Sequence, residues 1–199
     1  LAARAELDGG ALERLAEAGA LDGLCPSRRE ALWEVRALAR GRGDSLPIPR
    51  AEAAPAFPRL GAFETIAWDY AATAHSPRGH PLEPLRDRLR RLGLPDSRQV
   101  TAMPDGRRVR TAGIVICRQR PATASGVVFM TLEDEVGLVN LVCWRDVFAR
   151  HEVLAKTAPL LGVRGRVQSQ DGVVHVIAEE LFAPDVNLRP PSAGSHDWC

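Results

Sequence analysis

No run of 18 or more apolar residues occurs in the 199-residue sequence, so nothing in it reads as a membrane span. Four cysteines, Cys25, Cys117, Cys143 and Cys199, stand far apart. None forms a CxxC pair and no His sits beside them at ligand spacing, which argues against a zinc site. Such usage fits a reducing cytoplasm, with Cys117 and Cys143, inside strand patterns, as small core residues. There is no GxxxxGK phosphate loop, since RGRG around Gly41 and Gly43 lacks the strand and the Lys. There is no HExxH and no GxSxG. The cluster Glu133-Asp134-Glu135 could suggest a two-metal site. Strand alternation splits the three between faces, so they read as turn and barrel-rim residues. The expectation is a chain with no active site, no metal and no cofactor. The first residue is Leu1 and no charged-then-apolar leader follows, so the sequence reads as a piece of a longer protein.

Lysine is nearly absent as well, with Lys156 the single instance, so positive charge rests on arginine. The formal net charge of +1 argues neither for nor against nucleic acid. The distribution says more. From Arg78 to Arg120 eleven Arg face Glu83, Asp87, Asp96 and Asp105, a local balance of +7. Arginine suits phosphate forks and base stacking, although a GC-rich genome produces the same bias.

The first 40 residues read as a helical hairpin. Leu12 and Leu15 share a face up to Gly19, and Ser27 with Glu30 forms a capping box before a second helix reaching about Ala39. Residues 41–60, with Pro47, Pro49, Pro55 and Pro58, read as an extended linker. Residues 61–100 form a helical connector, with one helix from about Ala62 to Thr73. A second begins at Pro81, carries Leu82, Leu85, Leu89 and Leu92 on one face, and stops at Gly93.

From Val109 the period changes to two. RVRTAGIVICRQR is a strand with Gly113 where a barrel strand bends. GVVFMTLED and LVNLVCW follow, then a short helix from Arg145 to Ala155. LLGVRGRVQSQ and VVHVIAEEL come last, joined by Asp171-Gly172. The order β-β-β-α-β-β predicts an α+β chain whose residues 105–183 form a five-stranded OB-fold barrel. Residues 184–199 read as a flexible tail.

Alternation puts Val128, Met130 and Leu132, with Val139, Leu141 and Cys143, inside the barrel. Phe129, Thr131, Asn140 and Trp144 then face outward. OB-folds hold single strands on this face, with aromatics as stacking platforms. The candidate nucleic-acid-binding residues are Phe129 for stacking, Asn140 and Thr131 for hydrogen bonding, and Arg118, Arg120, Arg164 and Arg166 for phosphates. Phe129 could instead pack under a neighbouring domain. Trp144, at the strand end, reads as a packing residue and His175 as a plain sheet residue.

The segments ALERLAEAGALDGL, SRREALWEVRAL, DYAATAHSPRGHPLEPLRDRL and RQRPATASGVVFMTLEDE together resemble the C-terminal part of a bacterial C-family DNA polymerase α subunit. The subgroup most resembled is the error-prone, damage-inducible DnaE-like polymerase. Asp69, Tyr70, Ser76, His80 and Pro81 carry part of the pattern, and Arg28 to Trp33 supports it. The resemblance implies a parent DNA-directed DNA polymerase, a nucleotidyltransferase using Mg2+, active in translesion synthesis and DNA repair. Its catalytic domains would precede Leu1. The hairpin would be the tail of a helix-hairpin-helix region, and the barrel would meet single-stranded or primer-template DNA. Y-family-like and RecA-like accessory proteins are the implied partners. Ala74 stands where the family has Gly, SHDWC is similar to an SRDF-like terminus, and no QLxLF-type clamp motif is present. VVFMTLEDEVGLVNLV also resembles the anticodon-binding OB domain of tRNA synthetases, and a protein-docking module is a third reading.

Overall fold

The computed structural model describes residues 7–40, 55–73, 76–170, 172–186 and 196–198. The chain divides into two compact units, Leu1–His75 and Ser76–Cys199. That division falls inside the segment 61–100 that the sequence treats as one connector.

In the first unit α1 (Gly9–Glu17) and α2 (Arg28–Arg40) form the expected hairpin, and α3 (Ala62–Thr73) completes it. Asp8 caps α1 by accepting from the Ala11 N–H, and Ser27 Oγ accepts from the Glu30 N–H at 3.2 Å. Leu12, Ala16, Leu21, Ala31, Leu32 and Val35 bury one apolar cluster, with Trp68 of α3 packed against it. Most of the Pro-rich linker, residues 41–54, lies outside the described residues.

The second unit begins with a 3-10 turn at Glu83–Leu85 running into α4 (Arg86–Arg91). The leucine face is where the spacing puts it, with Leu82, Leu85 and Leu89 buried. A further helix, α5 (Ser97–Thr101), is held by a capping box between Asp96 and Gln99 that the sequence reading did not single out.

Strands β1 (Arg108–Gln119), β2 (Val128–Glu133), β3 (Leu138–Cys143), β4 (Leu160–Gln170) and β5 (Val173–Phe182) follow. They are ordered β2-β3-β5-β4-β1, and β1 pairs back onto β2. This is the closed five-stranded OB arrangement. β1 closes it by changing partners. Its first half pairs with β4 as far as Ile114, and its second half with β2, with a register shift between Val115 and Cys117. Gly113 sits at the change. A Cβ there would lie 2.9 Å from the Glu133 carbonyl oxygen, so a side chain would push β2 away. The helix between β3 and β4 is two short ones, α6 (Arg145–Arg150) and α7 (Glu152–Thr157), because His151 leaves helical geometry at φ −122° and ψ 27°.

The interior holds Val128, Met130, Leu132, Val139, Leu141 and Cys143, the six expected, together with Val163, Val167, Val176 and Leu181. Burial pushes the Cys143 thiol up to about 11, as befits a core residue. Cys117 differs from its expectation. It pairs with outward-facing Thr131 and is only half-buried. Of the tail, 184–199, read as flexible, residues 187–195 and 199 lie outside the described residues. His196–Trp198 form β6, parallel to β1 at Cys117–Gln119. β2 holds one edge of β1 there, so β6 takes the other, beyond the end of β4.

Candidate nucleic-acid interface

The outer surface of β2 and β3 is organised by register. Phe129 is paired with Val142, Thr131 with Asn140 and Glu133 with Leu138. β3 runs parallel to β5, which sets His175 beside Asn140 and Ile177 beside Val142. β4 then sets Gln168 beside His175 and Arg166 beside Ile177. Two rows therefore cross the sheet. One is apolar until its end: Phe129, Val142, Ile177, Arg166. The other is polar throughout: Thr131, Asn140, His175, Gln168. Side chains on one face of paired strands are neighbours, so each row is a chain of adjacent side chains.

Phe129 is 38% exposed. Thr131 Oγ donates to Asn140 Oδ1 at 3.2 Å, which fixes the amide rotamer. Asn140 makes no other side-chain hydrogen bond among the described residues, so its NH2 group keeps both donors for a ligand. The structure thus brings Phe129, Thr131 and Asn140 together on one exposed face.

The arginines are dispersed. Arg118 pairs with inward-facing Met130, so its side chain leaves on the barrel-mouth side. Its Nε donates to the Ala155 carbonyl at 2.8 Å and its Nη2 to the Ala158 carbonyl at 2.7 Å, at the C-terminal end of α7. It occupies orphan helix carbonyls rather than the Phe129 face. Arg120 is exposed, with its Cζ 5.6 Å from the centre of the Phe148 ring. Arg164 and Arg166 lie on the β4 side. Arg164 contacts Glu180 at 2.8 Å and Arg166 contacts Glu179 at 3.0 Å. Register sets Arg110 beside Arg164 and Arg108 beside Arg166, and Arg110 lies 4.9 Å over the Phe182 ring. Three strand spacings separate Phe129 from Arg166, about 14 Å around the barrel. One side chain cannot serve both, but an extended strand of a few nucleotides spans them.

Sequence reasoning missed three features here. Trp144, read as packed, is 54% exposed, and Leu138 on the same face is 50% exposed. Arg108 and Arg110 join the β4 arginines through the β1–β4 ladder, a long-range pairing that no local pattern displays. Arg145 makes no hydrogen bond or ion pair among the described residues. Alternation had already turned Trp144 outward, and its exposure is what the sequence left unread.

The acidic turn does not fit a metal ion. Asp134 Oδ1 accepts from Ser97 Oγ and from the Val136 and Gly137 N–H groups, and Oδ2 accepts from the Ser97 N–H. Glu135 is paired with Arg86. No group of three or more possible ligands gathers elsewhere among the described residues. No helix among them is long and apolar enough to cross a membrane.

Comparison with known proteins agrees with this geometry. The family described as an OB-fold nucleic acid binding domain matches residues 109–183, which is the barrel. The error-prone DNA polymerase of Mycolicibacterium paratuberculosis is 46% identical over 182 residues, covering 91% of this chain and 17% of that protein. The error-prone DNA polymerase of Corynebacterium efficiens is 47% identical over the same shares. Among solved structures, asparaginyl-tRNA synthetase from Pyrococcus horikoshii with asparaginyl-adenylate is 25% identical. It covers 45% of this chain and 22% of that one, at a TM-score of 0.39. The chain spans about one sixth of the length of the curated relatives it matches. Over nine tenths of its own length, and through an OB-fold barrel, the chain resembles a segment of the bacterial error-prone DNA polymerases.

Proposed function

We propose that the barrel holds unpaired template DNA for an error-prone polymerase engaged in translesion synthesis and damage-induced mutagenesis. The role is non-catalytic. The carrying observation is the exposed face on which Phe129 stands beside the fixed Thr131–Asn140 pair. Phe129 stacks on a base, a contact worth about 1–3 kcal/mol. The Asn140 amide reads a base edge, and exposed arginines meet phosphates. Similarity to error-prone polymerases over 91% of the chain supports DNA as the polymer and the template strand as its source. In the whole polymerase, Mg2+-dependent nucleotidyl transfer and the Y-family-like and RecA-like partners belong to other segments and proteins.

The test is anisotropy of labelled oligo-dT with the 199-residue chain, repeated with Phe129→Ala and over a salt series. The expected result is weaker binding for the variant and affinity that falls with salt. Insensitivity to both would reject the face. An equimolar RNA oligomer that displaces the DNA completely would turn the reading toward an RNA-binding barrel.

A further inference from the structure

We infer that Trp144 and Arg145 extend the Phe129 face into a two-nucleotide grip at the mouth of the β1–β2 loop. Trp144 carries a second base and Arg145 the adjoining phosphate. This rests on the reading of the face given above and adds two residues to it.

Trp144 follows the last residue of β3, yet its backbone stays extended at φ −66° and ψ 154°. The strand alternation therefore continues one residue further. Cys143 points into the core at 0% exposure, and Trp144 points outward at 54%. Phe129 is the ladder partner of Val142, which makes Trp144 its diagonal neighbour, two positions along the adjacent strand. Diagonal neighbours stand about 7–8 Å apart. No ring contact joins Phe129 and Trp144, and both rings are partly exposed. Half-buried Val142 lies between them as a floor. Two separated platforms on a dry floor suit consecutive bases of an unstacked strand.

Arg145 supplies the charge. Its aliphatic stem crosses Gly126, where a Cβ would lie 3.4 Å from Arg145 Cδ. Gly126 has φ +84°, a conformation that favours glycine, and it ends the loop entering β2. The Arg145 stem thus packs on the backbone at the end of the β1–β2 loop. The guanidinium has no carboxylate partner among the described residues, unlike Arg164 and Arg166 on the β4 side. An unpaired guanidinium beside an exposed indole matches the phosphate-then-base order of a polynucleotide, which is the reason to choose that occupant over a protein surface.

The test uses the full chain and labelled oligo-dT. Trp144→Ala should weaken binding about 5- to 150-fold, the span of one lost stacking contact. Trp144→Phe should restore most of it. Arg145→Ala should lower the slope of log affinity against log salt by about 0.7, one single-strand phosphate, and Arg145→Lys should keep the slope. Both residues are exposed, so thermal melting should show all four variants folded. If Trp144→Ala binds like the parent while Phe129→Ala does not, the grip is wrong and the face stands. Trp144→Phe as weak as Trp144→Ala would also reject stacking. If Phe129→Ala is equally silent, the face itself is rejected.

Discussion

Asp134 binds Ser97 twice: Oδ2 accepts from the backbone N–H at 2.6 Å, and Oδ1 accepts from the hydroxyl at 2.7 Å. This joins the first residue of α5 to the β2–β3 turn. The same carboxylate accepts from the N–H groups of Val136 and Gly137, so one buried side chain shapes the turn and docks the helix. Arg86 of α4 completes the junction by pairing with Asp134 and Glu135 and reaching the Leu94 carbonyl. The acidic turn is thereby turned inward on the barrel's own helices.

The first prediction follows from that junction. Asp134→Ala should destabilise the barrel by about 1–3 kcal/mol for each buried donor it leaves unpaired, the Ser97 and turn N–H groups foremost, while Arg86 keeps Glu135. Ser97→Ala, which deletes one hydrogen bond and leaves the carboxylate other donors, should cost about 1 kcal/mol. Urea denaturation followed by circular dichroism measures both. Equal effects would mean that the turn N–H bonds and the Arg86 contact together contribute nothing.

The second prediction concerns the helical unit. Arg28 and Asp69, each 3% exposed, meet at 2.5 Å, and Arg28 Nε and Nη1 have no partner among the described residues. Gly19 has φ +76°, and a Cβ there would stand 2.5–2.9 Å from the guanidinium. Gly19→Ala should therefore destabilise the unit by more than about 1 kcal/mol, from backbone strain and from displacing the ion pair. Asp69→Ala should cost about 3–5 kcal/mol. The double variant should cost less than the two added together, since both act through Arg28. A double-mutant cycle in urea tests this, and simple additivity would show that Gly19 acts through its backbone alone.

These two clusters also show what the sequence could and could not reveal. The motif Asp69, Ser76, His80 and Pro81 was legible as a pattern and opaque as chemistry. In the structure it is structural: Asp69 answers Arg28, Ser76 Oγ accepts from the Arg78 N–H, and His80 Nδ1 accepts from the Leu82 N–H. Strand alternation alone placed Phe129, Thr131 and Asn140 correctly, since facing is a local property with a period of two. Arg118 shared an outward-looking local pattern, but the bulge before Cys117 shifts the register, and only the ladder shows that it reaches α7. Alternation also turned Trp144 outward, but whether an outward ring at a strand end is covered depends on what packs beside it, which no local pattern displays.

A third prediction is a pH dependence. His80 Nδ1 accepts a hydrogen bond at 3.1 Å, so the neutral ring carries its proton on Nε2, which is buried without a partner among the described residues. Burial lowers the His80 pKa, with Glu133, Glu135 and Asp134 pulling it partly back up and Arg86 adding to the lowering. The unfolded chain then binds the proton more readily than the folded one. Stability contributed by neutral His80 is present above the ordinary histidine pKa of about 6.5 and is lost as pH falls below it toward the lowered value. Urea midpoints measured from pH 7.5 to 5.5 should fall in the parent, and the fall should be smaller in His80→Gln. Identical pH profiles would exclude His80 as the source.

The fourth prediction separates arginines that hold the barrel from arginines proposed to meet phosphates. Arg118 donates two charged hydrogen bonds to the carbonyls ending α7, the helix that closes one barrel mouth beside Ala155, a core residue. Arg118→Ala should cost about 1.5–3 kcal/mol of stability and leave the salt slope of oligonucleotide binding unchanged. Arg166 is half exposed and bound to Glu179 on the surface, so Arg166→Ala should cost less than about 1 kcal/mol of stability. A strand that runs from Phe129 along the Val142–Ile177 row reaches Arg166, and its loss should then lower the salt slope by about 0.7. Its counterion Glu179 gives the matching control. Glu179→Gln frees Arg166 and Arg108 together and should tighten binding, most visibly at low salt. Measured in one salt series, a slope change for Arg118→Ala and none for Arg166→Ala would reverse the assignment. The strand would then have to pass over the α7 end of the barrel instead of across β5 and β4.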